Sequence, residues 1–203
     1  MKPMKTLLLL AALVPFAAPA IAAVEVGAPA PAFTAVDSGG KAHDLSQYRG
    51  KTVVLEWTNH ECPYTVKHYV EGNMQGLQKT AKTDDIVWLS VVSSAPGRQG
   101  FVTGPEADRL TASRGAAPAA VLLDPEGKLG RLFDARTTPH MFIIDARGKL
   151  TYKGAIDDKP SSRASDIPGA RNHVREALAE MAGGKPVSMP VTRPYGCSVK
   201  YAW

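Results

Sequence analysis

Two cysteines, Cys62 and Cys197, are the residues best suited to covalent chemistry, and they are the only cysteines in the sequence. Cys62 comes shortly after the apolar run Thr52 to Trp57 and immediately before Pro63, with Val66, Tyr69 and Val70 then recurring at i, i+3, i+4. That order predicts a buried strand, a short turn and a helix packed on a sheet, with Cys62 at or near the helix N-cap. A proline just inside a helix start sacrifices no hydrogen bond, because that amide would be unpaired anyway. The thiolate is the reactive form of cysteine, and first-turn amides with the helix dipole favour negative charge at this end. His60 and Lys67 or His68 are candidates to add positive charge beside the sulfur. The bland alternative is a small buried hydrophobe at a strand–helix junction.

Cys197 stands beside Gly196 on an extended, Pro-rich tail that begins at about Lys185. Read as a mobile arm, the tail would bring a second sulfur back over the helix start. The two cysteines could then act as a redox couple or as a permanent staple. Closing so long a loop stabilises a fold by on the order of 4–5 kcal/mol in the chain-entropy description.

The elements that must position these residues belong to an ordinary globular chain. It has 203 residues, 44% hydrophobic and 21% charged, with 18 Gly and 16 Pro, which excludes collagen, coiled coil and general disorder. A formal charge of +5 scattered along the sequence does not make a nucleic-acid surface. Residues 1–23 read as a secretory signal: Lys2 and Lys5, the apolar run Leu7 to Val14, then small residues at Ala20 and Ala22, with cleavage expected near Ala22 or Ala23. The apolar run is too short for a stable membrane anchor, and no nearby cysteine could take a lipid. Export to a periplasm, where disulfides persist, is the expectation.

Residues 24–203 then read as one domain, without internal repeats or a dividing linker. A hairpin is predicted around Asp37-Ser38-Gly39-Gly40, and a second helix over Asn73 to Lys82. Strands are expected over Ile86 to Val92 and Ala119 to Leu123, with a weak helix over Pro105 to Arg114. A hairpin over Met141 to Gly154 and a helix over Pro168 to Met181 complete the set. Trp57, Trp88 and Tyr152 are expected in the core. His43, His68 and His173 are scattered, Asp84-Asp85 and Asp157-Asp158 read as solvated turns, and Gly39-Gly40 is no phosphate cradle.

The segment Trp57-Thr58-Asn59-His60-Glu61-Cys62-Pro63-Tyr64-Thr65, the late hairpin and Thr137-Thr138-Pro139-His140 before a strand resemble the thioredoxin fold. More closely, the sequence resembles the peroxiredoxin-like redoxins related to alkyl hydroperoxide reductases and thiol-specific antioxidants, with Trp88 to Gly100, Gly154 to Pro160 and the ending Tyr195 to Tyr201 included. The resemblance runs from about Val26 to Tyr201. It implies an α/β domain with a central mixed β-sheet flanked by helices, and a cis peptide at Thr138-Pro139 facing Cys62. It also implies a thiol-dependent oxidoreductase that needs no metal or other cofactor.

Cys62 resembles the nucleophilic cysteine of thioredoxins, but Thr65 stands where their second cysteine would be, so the local dithiol is absent and Cys197 is the candidate resolving cysteine. Asn59 stands where peroxiredoxins carry a hydroxyl that positions peroxide, and Pro63 follows the thiol rather than preceding it. Asn59, His60, Pro63, Thr138 and Pro139 are therefore the expected supporting residues. A disulfide-containing protein or a peroxide is the expected substrate, with a thiol as reductant. Two competing readings are a copper-binding module using Cys62, Cys197 and His60 or His140, and a redox-inert domain stapled by its two cysteines.

Overall fold

A computed structural model describes residues 24–202. The expected leader, residues 1–23, lies outside the described residues. The strands are β1 (Thr34–Asp37), β2 (Ala42–Asp44), β3 (Val53–Trp57), β4 (Val87–Val92), β5 (Ala120–Leu123), β6 (Thr137–Thr138), β7 (His140–Ile144), β8 (Leu150–Gly154) and β9 (Cys197–Ser198). The helices are α1 (Pro63–Val70), α2 (Asn73–Thr83), α3 (Gly104–Ser113), α4 (Lys128–Leu132) and α5 (His173–Ala182). Seven strands form one mixed sheet in the order β2-β1-β5-β4-β3-β7-β8, with β3, β4 and β5 parallel and the remaining pairings antiparallel. Strands β6 and β9 pair separately, antiparallel.

The central strands are buried on both faces, as parallel strands covered by helices must be. Val53, Leu55 and Trp57 of β3 join a core with Leu89, Phe133, Phe142 and Leu150, and this face is covered by α4 and the N-terminal segment. Val54 points the other way, into a core with Tyr69 of α1, Met74 and Leu77 of α2, Trp88, Tyr152 and Val174 of α5. Glu56 shares that second face by the two-residue alternation of a strand. Its carboxyl accepts from Tyr69 Oη at 2.9 Å, Trp88 Nε1 at 2.8 Å and Ser90 Oγ at 2.9 Å, so this fully buried acid is satisfied by the neighbouring strand β4 and by α1. Burial pushes its pKa up, although these hydrogen bonds pull the other way.

Several expectations need correction. The stripe Val66, Tyr69, Val70 does not seat α1: Val66 and Val70 are 38% and 69% exposed, and the buried residues are Thr65, Lys67, His68 and Tyr69. The helix is rotated because polar partners meet this side of it, Glu56 for Tyr69, the Lys159 carbonyl and Asp157 for Lys67, and Asn73 for His68. Asp157 is accordingly 2% exposed rather than a solvated turn. Helix α5 starts at His173, not Pro168, with Asn172 capping it by accepting from Arg175 N. Helix α4, a single short turn set off by Gly127 in the left-handed region, had no periodic signal to betray it. The tail is not a loose arm. It crosses β8 by a Lys153–Val191 bridge and returns through β9 to the sheet end where Cys62 lies.

Two buried histidines make the fold acid-sensitive above the carboxylate range. Burial lowers the pKa of His68 and of His140 to about 3, so both are neutral in the native protein. The unfolded chain takes up their protons near pH 6.5, so stability is lost as pH falls from there toward 3. Between pH 7 and 5 the unfolding free energy should drop by about 2 kcal/mol for each histidine. Urea titrations at the two pH values check this, and His140→Gln should roughly halve the drop; an undiminished drop would clear His140 of the effect.

Candidate active site

The site lies at the carboxyl end of β3. Past Trp57 the chain holds on to β4 through Thr58 N to Val91 O at 3.0 Å, then turns on Asn59. The Asn59 carbonyl accepts from Cys62 N at 3.1 Å, its side-chain Oδ1 accepts from Glu61 N at 2.9 Å, and its Nδ2 donates to Gln99 O at 3.3 Å. Gly100, at φ +80°, lies so close to that side chain that a Cβ would collide with it. Asn59 therefore shapes the turn rather than facing the sulfur with a polar group. Cys62 is the N-cap of α1 in extended conformation, with Pro63 in the first turn, and its carbonyl accepts from Thr65 N and Val66 N at 2.9 and 2.8 Å.

From the other side comes β6, with a cis peptide between Thr138 and Pro139. The Cys62 thiol donates to the Thr138 carbonyl at 3.0 Å. Thr138 is also the register partner of Cys197 in β9, and Val199 N continues the pairing by donating to Arg136 O at 3.0 Å. The tail thus sets Cys197 against the same Thr138 peptide whose carbonyl accepts the Cys62 thiol. Both cysteines are free thiols here; Cys62 is fully buried and Cys197 is partly exposed.

The pair divides its proton unequally. Burial pushes the Cys62 thiol up, but hydrogen bonds from the Cys197 side chain, the Thr138 side chain, the Cys197 backbone and the Thr65 backbone outweigh it, leaving Cys62 below its ordinary value. Cys197 is pushed up to about 11 by burial, then by the hydrogen bond and charge of Cys62, with Lys200 opposing. Of the two thiols, Cys62 is therefore the more readily deprotonated.

The positive groups expected beside the sulfur point elsewhere. Lys67 Nζ donates to Lys159 O at 2.8 Å and lies 3.8 Å from Asp157 Oδ2. His68 is neutral and takes an Asn73 amide at 2.9 Å. His60 faces α3, lining a hollow with Phe101, Glu106 and Arg109. His140 is a buried first residue of β7, packed on Phe142 with its Nδ1 accepting from Arg136 N at 3.3 Å. Among the described residues no group of three or more His, Cys, Asp or Glu is placed to hold a metal ion. What the sequence reading missed is the cluster of Lys67, Asp157 and Tyr195 behind α1. A lysine and a histidine side by side on a helix that must pack against a sheet were the signal for it.

The redoxin family model matches residues 25–172. No curated protein matches the sequence. Among solved structures, an uncharacterized conserved protein from Geobacillus kaustophilus superposes with a TM-score of 0.73 at 21% identity, covering 88% of this chain and 93% of its own. A hypothetical protein from Sinorhizobium meliloti gives 0.72 at 19% identity, covering 89% and 97%. The thioredoxin domain of a thiol-disulfide oxidoreductase from Bacteroides vulgatus gives 0.50 at 16% identity, covering 72% and 98%. The architecture is the thioredoxin fold, as the sequence resemblance implied. The family match ends before the tail that carries Cys197.

Because the Cys197 thiol is the largest of the groups favouring the Cys62 anion, Cys197→Ala should raise the Cys62 pKa. Thr138→Val should raise it by less. Thiolate absorbance near 240 nm, followed against pH, reads both; an unshifted titration in Cys197→Ala would mean that the helix start sets the pKa unaided.

Proposed function

The chain belongs to the redoxin family, and from that membership we propose that it is an exported thiol-disulfide oxidoreductase, with Cys62 as nucleophile and Cys197 as resolving thiol. The observation that carries this reading is the placement of Cys197 opposite Thr138, the residue whose carbonyl accepts the Cys62 thiol. Export rests on the signal expected over residues 1–23, and a periplasm would supply the oxidising surroundings.

The chemistry proceeds by exchange. The Cys62 thiolate attacks one sulfur of a substrate disulfide, forming a Cys62–substrate disulfide and expelling the other substrate sulfur as a thiolate, which takes a proton. The Cys197 thiol then loses its proton and attacks the Cys62 sulfur, releasing the second substrate thiol and leaving a Cys62–Cys197 disulfide. Substrate is reduced by two electrons and the pair is oxidised by two. A thiol reductant restores the dithiol by the same exchange, and the whole sequence runs backwards when the partner is the more reducing couple.

A hydroperoxide would reach the same product by another path. Cys62 would become a sulfenic acid as the peroxide is reduced to an alcohol or water, and Cys197 would then condense with it, losing water. Peroxide reduction of the usual kind draws less support, because Asn59 is tied into its own turn and offers no hydroxyl to the oxidant. Disulfide exchange is therefore the preferred activity, and a peroxiredoxin-like antioxidant role is secondary to it.

Equilibration of the mature protein in defined thiol–disulfide buffers, with free thiols counted by mass after alkylation, should give a potential near −200 mV, the region of exchange catalysts. A value below about −300 mV would instead mark a structural staple and defeat the proposal. Cys62→Ser should abolish reduction of a small aromatic disulfide. Cys197→Ser should stall as a Cys62–substrate adduct visible by mass, and steady turnover without such an adduct would remove Cys197 from the mechanism.

A further inference from the structure

In the reduced protein the sulfur with nucleophilic character is the one that solvent cannot touch: Cys62 is 0% exposed. What covers it is the chain's own tail, since β9 occupies the edge of β6 beside Thr138. Gly196 sits at φ +133° so tightly against that edge that a Cβ would collide with the Thr138 carbonyl oxygen. The cover is therefore backbone pressed on backbone.

The tail is fastened on both sides of Cys197. On the far side Lys200 O accepts from Ala95 N at 2.8 Å, Tyr201 Oη donates to Ala135 O at 2.7 Å, and the Arg131 guanidinium stacks 4.6 Å above the Tyr201 ring. On the near side the fastening is Tyr195, two residues before the cysteine. Its phenol donates to Asp157 Oδ1 and lies 3.4 Å from His68 Nε2, while Lys67 Nζ stands 5.0 Å from its ring centroid. The Tyr64 ring meets it edge-on at 6.0 Å. Tyr195 is thereby docked on the same helix whose N-cap is Cys62.

Asp157 has little else to rely on. Its Oδ1 also accepts from Lys159 N at 3.0 Å, but Oδ2 has no hydrogen bond, with Lys67 at 3.8 Å and His68 at 3.9 Å. A buried carboxylate so placed depends on the phenol as its side-chain hydrogen-bond donor, and loss of that donor leaves a poorly compensated charge that must seek water.

We infer that Tyr195, seated on Asp157 and Lys67, is the positioning residue that clasps the tail over Cys62. It fixes both how often the nucleophile is uncovered and how effectively Cys197 is presented to it. The clasp rests on the redox reading above only for its second consequence. A partner disulfide reaches Cys62 after the clasp opens, and resolution follows when it closes.

The test separates the two consequences. In a Cys197→Ser background, which leaves Cys62 as the remaining thiol, adding Tyr195→Phe should accelerate alkylation of Cys62 by iodoacetamide at least tenfold. In the two-cysteine protein, Tyr195→Phe should weaken the intramolecular disulfide about tenfold, a rise of about 30 mV for a two-electron couple. Gly196→Ala, which lifts the strand itself, should give the same acceleration as a control for uncovering, and Asp157→Ala, which removes the phenol's acceptor, stands in if Tyr195→Phe does not fold by circular dichroism. An unchanged alkylation rate in Tyr195→Phe overturns the clasp, even where Gly196→Ala accelerates it. Absence of the intramolecular disulfide in the parent protein at every buffer poise would instead overturn the redox-couple reading, while accelerated alkylation would still uphold the clasp.

Discussion

The site depends on one peptide unit, that of Thr138. Its carbonyl accepts the Cys62 thiol at 3.0 Å, and its residue is the register partner of Cys197. A backbone group cannot change its identity by mutation, so the two sulfurs are referenced to a common, chemically fixed atom set. Everything nearby serves to hold that unit still. Strand β7 follows at once and pairs with β3 along its whole length, Trp57 opposite His140 at the end next to the site, so the strand preceding Cys62 and the strand following Thr138 are rigidly linked. The distance between the nucleophile and its opposing edge is in this sense a property of the central sheet.

The same sheet explains why α1 can bury a polar side. A helix carrying Thr65, Lys67 and His68 inward would ordinarily be unfavourable, because each unpaired polar group in a dry interior costs on the order of 1–3 kcal/mol. Here Glu56 accepts from Tyr69, the Lys159 carbonyl accepts from Lys67 with Asp157 3.8 Å away, and His68 takes the Asn73 amide, while the apolar load is carried by neighbouring elements, Met74 and Leu77 of α2 and Val174 of α5. The outcome is a helix whose position is set by directed contacts rather than by general apolar packing. Such contacts fix rotation about the helix axis, and rotation determines where the first-turn amides aim. For a residue at the N-cap that matters more than depth of burial, since the helix field acts within about one turn.

Much of this was legible in the sequence, and the failures share a cause. The strands Thr52 to Trp57 and Ile86 to Val92 announce themselves as continuous apolar runs, and the Cys62-Pro63 step marks a helix start by local chemistry. The hairpin around Asp145 to Gly148 and the cis peptide before Pro139 followed from turn residues and family resemblance. The contacts of α1 did not, because periodicity counts apolar residues and cannot register a lysine that is buried with a partner far along the chain. Asp157 looked like a solvated turn for the same reason. The tail was read as mobile since a Pro-rich stretch without periodicity has no local ordering signal. Its order comes from pairing with β6, from Tyr195 and from Tyr201, all contacts of long sequence separation.

That dependence on long-range contact distinguishes this pair from a local dithiol. Thr65 holds the position three after Cys62, fully buried and with its hydroxyl unpartnered, so no second sulfur lies within the helix turn. In a local pair the backbone of one turn sets the effective concentration of the second thiol, whatever the rest of the protein does. Here Cys197 is brought by a segment outside the family match, and its presentation is only as good as the docking of that segment. For the proposed Cys62–Cys197 disulfide, the free energy of docking would enter the equilibrium directly, because a tail that is detached for part of the time lowers the effective concentration in the same proportion. It also enters the exposure of Cys62, with the opposite sign for reactivity toward outside partners. A tighter tail gives a more stable disulfide and a better hidden nucleophile; a looser one gives a more accessible thiolate that waits longer to be resolved. On the proposed redox function, poise and access to Cys62 are then two readings of one docking equilibrium, and a substitution in the tail cannot alter one without the other.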